Sequence, residues 1–260
     1  ARDISLPDLE ILDVGCGVGG SLYYFWPQQP QNEYDENDLY YKAFSYTGIT
    51  ISQAEVNFAN QLAKFHGVFP ADHEPDETDA IYFGQQSFDD ALPENAYSLI
   101  LALESLMYAN DLQYTVRNLM SSLQPNGIML MADEFWEPLA GDSPPWMSPS
   151  SKTLLPYAEW KEILEAEGCH ITYLRDLAMD YEPSLVASRA LQATSQYTWW
   201  DGWLPGGRLW DMQVATQQAL EALQYRQRLM ESGQSSYMLL ACTKVDVEEE
   251  EDEDDDETTL

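Results

Sequence analysis

From Ile11 to Gly20 the chain runs ILDVGCGVGG, an aspartate followed by glycines at 15, 17, 19 and 20. Glycine frees a backbone to bend sharply and lets a ligand come close where a Cβ would stand. At the head of a strand in an α/β fold, such a turn is where nucleotide-like cofactors bind. Two cofactor classes compete for it. Gly15, Gly17 and Gly20 satisfy the G-x-G-x-x-G dinucleotide pattern, a weak signal alone. That pattern expects an acid about 20 residues on, at the end of the next strand, for a ribose hydroxyl. The next strand candidate here, Phe44–Ile51, lies farther along and carries Thr50 at that point. Asp13, two residues before Gly15, has no place in the dinucleotide pattern.

The elements needed to position such a loop can be followed along the chain. Ile11–Val14 is a first strand, and Gly19–Trp26 a helix ending before Pro27. Gln28–Asp38 is polar and broken by proline, an inserted surface loop. Phe44–Ile51 is the second strand. The helix after it starts at Ser52 and closes at Gly67, with Ser52 and Glu55 spaced as a capping box. Ala80–Phe83 is a third strand, and Tyr97–Leu103 (YSLILAL) has the uninterrupted apolar run of a central parallel strand. A helix over Asp111–Leu123 ends at PNG, and Ile128–Ala132 is the next strand. After Asp133 the pattern is irregular and rich in Pro and Trp as far as Ser151. Pro156–Gly168 returns to helix and Cys169–Leu174 to strand. Ser184–Met230 is mostly helical, and Ser236–Lys244 is a last, edge-like strand. Strands alternating with helices imply βαβ units and a mainly parallel sheet. One domain over residues 1–245 suits the 260-residue chain, with lid-like segments at 134–160 and 184–232.

Charge and cysteine content narrow the partners. The formal charge is −33, and eleven of the acids lie in Asp246–Glu257; the rest of the chain, less those eleven charges, keeps −22. Residues 246–260 form an acidic tail too poor in apolar residues to fold. Phosphate backbones are repelled by such a surface, which argues against nucleic acid; the charge either suits a neutral or cationic small molecule or serves only to maintain solubility. With no apolar run of 18 residues, no membrane span is expected. The first residue is Ala1 and the first core strand follows almost at once, the pattern of a trimmed fragment. Cys16, Cys169 and Cys242 are odd in number and widely spaced, which suggests neither a disulfide framework nor a zinc site. The expected setting is reducing and cytoplasmic.

Four segments stand in order: ILDVGCGVGG, YTGITISQAEVNFAN, ILALESLMYANDLQYTVRNLMSSLQPNGIMLMADEF and RDLAMDYEPSLVASR. Together they resemble class I S-adenosylmethionine-dependent methyltransferases, of the branch acting on sterols and other small natural products. The resemblance implies a Rossmann-like α/β fold, a mainly parallel seven-stranded sheet with helices on both faces and an antiparallel edge strand. It further implies that Asp13, Gly15, Cys16, Gly17 and Gly19 line the methionine part of S-adenosylmethionine, with Thr50 and Ile51 near its ribose and adenine. Family members usually have glutamine at the position of Glu55; a glutamate there can accept from the ribose hydroxyls or complete the capping box. Gln86 replaces the usual aspartate that accepts from the adenine amino group, and its carbonyl can still accept. Ser87 and Phe88 flank the adenine. Leu103 ends the fourth strand, either beneath the cofactor or as a plain core leucine.

Methyl transfer to a small acceptor is an in-line displacement. The protein must hold the nucleophile about 3 Å from the methyl and exclude water. A general base helps when the acceptor is a hydroxyl or an ammonium group. Relatives often place a histidine or acid directly after the ESL-type segment, where this chain has Met107 and then Tyr108. His66, His73 and His170 lie elsewhere, as surface or capping histidines. Asp133, at the end of IMLMAD, is therefore the leading base, set against a loop-capping role. Glu104 and Tyr108 are second choices. Trp136, Trp146, Tyr157, Trp160, Tyr197, Trp199, Trp200 and Trp203 crowd the lid-like segments, as an aromatic wall for an apolar or amine substrate or as core. The departures at Gln86, Ser98 and Met107 keep a second reading open, a binding or scaffold domain without catalysis. A third is an enzyme that methylates lipid carbon or forms a cyclopropane.

Overall fold

The computed structural model of the chain describes residues 9–25, 44–68, 80–137, 155–177 and 227–244. Seven strands form one sheet in the order β3-β2-β1-β4-β5-β7-β6. They are β1 (Leu9–Val14), β2 (Phe44–Thr50), β3 (Ile81–Gln85), β4 (Tyr97–Leu103), β5 (Leu123–Trp136), β6 (Cys169–Asp176) and β7 (Ser235–Lys244). β1 to β5 are parallel, while β7 runs antiparallel to both β5 and β6. The chain steps outward from β1 to β3 and then returns to lay β4 against β1. The tips of β1 and β4 therefore diverge at a topological switch point, where open α/β sheets bind ligands.

The helices are α1 (Leu22–Phe25), α2 (Gln53–Phe65), α3 (Leu112–Ser122) and α4 (Tyr157–Ala166). They cover both faces because successive strand residues point to opposite sides. On one face Ile11, Tyr46, Phe83 and Leu101 pack with Val56, Ala59 and Ala63 of α2. On the other, Leu12, Ile100, Met129 and Met131 pack with Val116 and Leu119 of α3 and with Trp160 and Leu164 of α4. A strand buried on both faces has lost the alternation of a half-exposed one, which is why apolar residues are adjacent in LILAL of β4 and why ILDV is buried throughout, Asp13 included. Ser52 caps α2 by accepting from the Glu55 N–H at 3.3 Å, and Gly67, at φ 74°, lies just beyond its end. Asp111 caps α3 the same way, accepting from the Tyr114 N–H at 3.0 Å.

Tertiary pairing changes several expected boundaries. β5 does not stop at Ala132: β7 pairs with it from Ile128 to Trp136, so the ladder carries the strand four residues farther, and all four are buried. β7 is no edge strand. It lies inside the sheet between β5 and β6, and β6 forms that edge. β3 runs on to Gln85 because β2 offers it partners up to Thr50. Among the described residues α1 spans only Leu22–Phe25. The cysteine expectation is overturned as well. Cys169 and Cys242 form a disulfide, with Cα atoms 5.5 Å apart on the adjacent strands β6 and β7. Antiparallel pairing joins residues 73 apart in sequence, a proximity that spacing along the chain conceals. The inference from unpaired cysteines to a reducing compartment loses its premise.

Trp136 and Trp160 are buried, and Tyr157 and Trp160 each meet the Phe135 ring edge-on, so these three aromatics are core rather than lid. Trp146, Tyr197, Trp199, Trp200 and Trp203 lie outside the described residues, as do the 28–38 insertion, most of the two lid-like segments and the acidic tail. No helix among the described residues is long and apolar enough to cross a membrane.

Candidate functional site

The loop after β1 is built from left-handed backbone. Gly15, Gly17 and Gly19 have φ of 72°, 54° and 76°, which an L side chain rarely adopts. The amides of Gly15 and Cys16 both donate to the Ile49 carbonyl, at 2.9 and 3.0 Å, fastening the loop to β2. The glycines divide by what surrounds them. A Cβ on Gly15 would stand 2.5 Å from Cβ of Ser105, and one on Gly19 2.5 Å from the Phe83 ring. Those two serve close packing. Nothing lies within 4 Å of a Cβ on Gly17 or Gly20, and there the backbone is open to an approaching ligand.

Two expected lining residues turn inward instead. Asp13 is buried, accepts from the Tyr46 hydroxyl at 2.5 Å and is also bonded by Ser21. Burial raises its carboxyl above the usual range, and those two hydrogen bonds oppose the rise. The Cys16 side chain is buried in the α2-side core and its thiol is pushed far up by burial, so that residue can face a ligand only through its backbone. Both side chains turn inward because β1 is buried on its two faces right up to the turn.

At the tip of β2, Thr50 donates through Oγ1 to Oε2 of Glu55 at 2.6 Å, and the Ser52 N–H donates to the same threonine oxygen at 3.4 Å. Ser52 thus forms its half of the capping box, while the Glu55 carboxylate is drawn to Thr50. Ile51 is 72% exposed beside them. The Gln86 N–H donates to the Thr50 carbonyl at 3.0 Å, which sets the β3 loop against the β2 tip. The Gln86 side-chain amide donates to the Ala91 carbonyl at 3.4 Å. Ser87 is absorbed by its own turn, giving its N–H to Asp90 and accepting from the Asp89 N–H. Phe88 is core and does not flank the site. Leu103 stands 36% exposed at the tip of β4, in place of the core leucine considered for it.

Across the switch point, Glu104 follows β4 with φ 54°, strained for a non-glycine residue, and accepts from the Tyr237 hydroxyl at 3.1 Å. A 3-10 turn, Leu106–Tyr108, comes next, with Met107 buried and Tyr108 half exposed. Asp133 is fully buried. Its Oδ2 accepts from the Met107 N–H at 3.3 Å and its Oδ1 from the Glu134 N–H at 2.9 Å, the pattern of a loop cap. Ser98 has a structural task at the start of β4: it accepts from the Glu10 N–H at 2.9 Å and donates to the Glu10 carbonyl at 3.2 Å. A cavity of about 200 Å³ lies beneath the Met107 turn, between Leu106, Asn110 and Leu112 on one side and Leu155 and Trp160 on the other. No residue of the glycine loop lines it.

The structure brings Thr50, Glu55 and Gln86 together at the tip of β2, with Ile51 next in the chain; Gly17 lies on the loop after β1, and Leu103, Glu104 and Tyr108 lie at or just after the end of β4. Tyr46, Ser105 and Tyr237 went unnoticed in the sequence. Each touches a candidate residue from another strand or turn, and only the register reveals those contacts.

Residues 12–129 match the model of a family described as a methyltransferase domain. Over 131 residues, half of this chain and 44% of the relative, the sequence is 28% identical to a ubiquinone biosynthesis O-methyltransferase of Rickettsia canadensis. It is also 28% identical to a 2-methyl-6-phytyl-1,4-hydroquinone methyltransferase of Synechocystis, over 49% of this chain and 32% of that one. The chain spans less than half the length of these curated relatives. Among solved structures, geranyl diphosphate C-methyltransferase from Streptomyces coelicolor superposes with a TM-score of 0.62 at 18% identity, covering 92% of this chain and 73% of that one. At that identity the likeness shows the fold alone. Residues 12–129 are thus similar to a methyltransferase domain, and the strand order and the superposition show the fold of the class I S-adenosylmethionine-dependent methyltransferases.

Proposed function

We propose that this chain binds S-adenosylmethionine at the β1–β4 switch point and transfers its methyl group to a small lipophilic acceptor. The observation that carries the reading is the glycine loop itself: its backbone is left-handed at Gly15, Gly17 and Gly19 and open over Gly17 and Gly20, and a bonded polar pair, Thr50 and Glu55, follows at the next strand tip. The residues present fit this cofactor. Gly17 admits the methionine portion to the backbone. Glu55, already oriented by Thr50, offers carboxylate oxygens to the ribose hydroxyls. The exposed side chains of Ile51 and Leu103 offer apolar surface to the adenine, and Gln86 offers its amide at the rim. When bound, S-adenosylmethionine supplies a methyl on a positively charged sulfur, ready for displacement.

On the acceptor side this chain offers one group to position the acceptor and one to receive its proton or charge. Tyr108, half exposed, can orient a hydroxyl of the acceptor, and Glu104 can take a proton or hold a cation while Tyr237 fixes its other contacts. Asp133 works from below, fixing the Met107–Tyr108 turn through a backbone N–H. Two similar proteins carry quinone or hydroquinone names, which supports an aromatic, hydroxyl-bearing acceptor of that class. Calorimetry on the folded chain tests the first half: absence of S-adenosylmethionine binding sinks the proposal. Turnover against hydroquinones, phenols and amines tests the second.

The burial of Asp133 favours one alternative specifically. With both carboxylate oxygens taken by backbone amides, the leading base is withdrawn from any acceptor, as in a domain that keeps the cofactor but has lost turnover. Tight binding without product across that panel selects it. Product methylated at carbon selects the lipid carbon-methylating or cyclopropane-forming class.

A further inference from the structure

We propose that Tyr46 is a positioning residue of the cofactor site: its buried hydroxyl holds the Asp13 carboxylate beneath the glycine loop and sets both the affinity for the cofactor and the pH at which that affinity is lost. The inference rests on the cofactor reading above and deepens it. Tyr46 is wholly inaccessible, yet a core position at this place needs only an apolar side chain. Its hydroxyl reaches Oδ2 of Asp13 at 2.5 Å across 33 residues of sequence. The packing around it is arranged for that reach. In the β1–β2 ladder Asp13 faces Gly48. A Cβ on Gly48 would stand 2.8 Å from the Phe83 ring, 2.9 Å from Sγ of Cys16 and 3.1 Å from the Tyr46 ring. Its absence lets those three side chains meet. Phe83 meets the Tyr46 ring edge-on, with centroids 5.7 Å apart, and Gly19 sits on Phe83. A run of contacts thus leads from the far end of the loop, through Phe83 and Tyr46, to Asp13 at its base.

Charge completes the case. A buried carboxylate without partners is strongly disfavoured. Here the donors are Tyr46 and Ser21, and both favour the ionised form against a burial that raises the carboxyl. Burial also pushes Cys16, Tyr23 and Tyr46 upward, so these neighbours stay protonated at neutral pH. Glu55 is the other carboxylate acting on this cluster, through Cys16. S-adenosylmethionine carries a sulfonium and an ammonium against one carboxylate, a net cation. An ionised Asp13 under the loop favours it, and a protonated one does not.

The test is calorimetry with S-adenosylmethionine on the full chain between about pH 5 and pH 9. Tyr46→Phe keeps the ring and loses the donor. It is expected to bind about tenfold more weakly at neutral pH, with its acid limb displaced to higher pH, because the ionised carboxyl has lost a stabilising bond. The displacement persists in a Glu55→Gln background, which removes the other carboxylate. Phe83→Leu loosens the same packing without touching the donor; it weakens binding but leaves the limb where it was. Should Tyr46→Phe fail to fold, Ser21→Ala removes the second donor and is expected to shift the limb in the same direction. Wild-type affinity and an unmoved limb in Tyr46→Phe, or in Ser21→Ala where that variant stands in, overturn the inference while leaving the cofactor reading intact. A wild-type chain that binds nothing removes both.

Discussion

At the tips of β1 and β2 the backbone is open and the side chains fasten it from below. Just after β4 and within β5 the carboxylates are engaged by the protein's own donors. In the first region Asp13 is held by Tyr46, Gly15 packs on Ser105 and Gly19 on Phe83, while Gly17 faces open space. In the second, Asp133 spends both oxygens on backbone amides and Glu104 accepts from Tyr237. The difference is chemical. A region that recognises one fixed cofactor can be a rigid mould made of main chain. A region that meets a variable acceptor carries its specificity in side chains and in segments laid over it. Preorganised left-handed backbone is easy to recognise in a sequence where glycine, which adopts it without strain, marks each position; in the other region it falls on Glu104, which carries no such mark.

The comparison can be broken most sharply at the mould. Gly15→Val would combine a left-handed φ with a Cβ 2.5 Å from Ser105. Strain and overpacking together should lower stability by about 4–5 kcal/mol and abolish cofactor binding. Near-normal calorimetry for that variant would show that the loop is not a rigid mould. On the opposite side of the sheet the fastening is covalent. Replacing Cys169 and Cys242 with serine should lower stability by about 4 kcal/mol on the chain-entropy account of a loop of this length. Thermal melts with and without reductant read the effect; a melting temperature indifferent to reductant removes the disulfide from the stability of this half.

Asp133→Asn sharpens the contrast itself. As a cap it should lose about 1–3 kcal/mol of stability, with a turnover change that follows from the displaced Tyr108. A fall in kcat of about 100-fold with an unchanged melting temperature would instead return Asp133 to the role of base. The smallest effect belongs to the rim. Arg117 of α3 donates to Glu167, the residue that caps α4, at 2.8 and 2.9 Å, and holds its carboxyl below the usual range. A lowered carboxyl stabilises the fold above its unfolded value and loses that contribution as pH falls through the folded one. Arg117→Ala should therefore lower the melting temperature slightly at neutral pH and not at all in strong acid, and salt should shrink the difference.

Much of the cofactor half was legible in sequence. The glycine loop, the strand ending on Thr50 and the Ser52 cap are local patterns, each fixed by residues within a few positions of one another. Less of the acceptor half could be seen. Asp133 carried the sequence features of a base and the burial of a cap, because the N–H of Met107, 26 residues away, is its partner. Leu103 had the composition of a core residue and stands at the surface, since β4 ends there and the chain turns into Glu104. β5 outran its apolar pattern because β7 supplied a ladder for it.

By itself the sequence determined the layers of the fold and the mould that faces a cofactor, since apolar periodicity and glycine placement are local constraints on a chain. Tertiary structure decided the rest: that β7 lies inside the sheet, that Cys169 meets Cys242, that Tyr46 grips Asp13, and which carboxylates remain at the surface. All four depend on strand order and register, which bring together residues 26 or more apart in the chain and leave no mark in the local pattern of either partner.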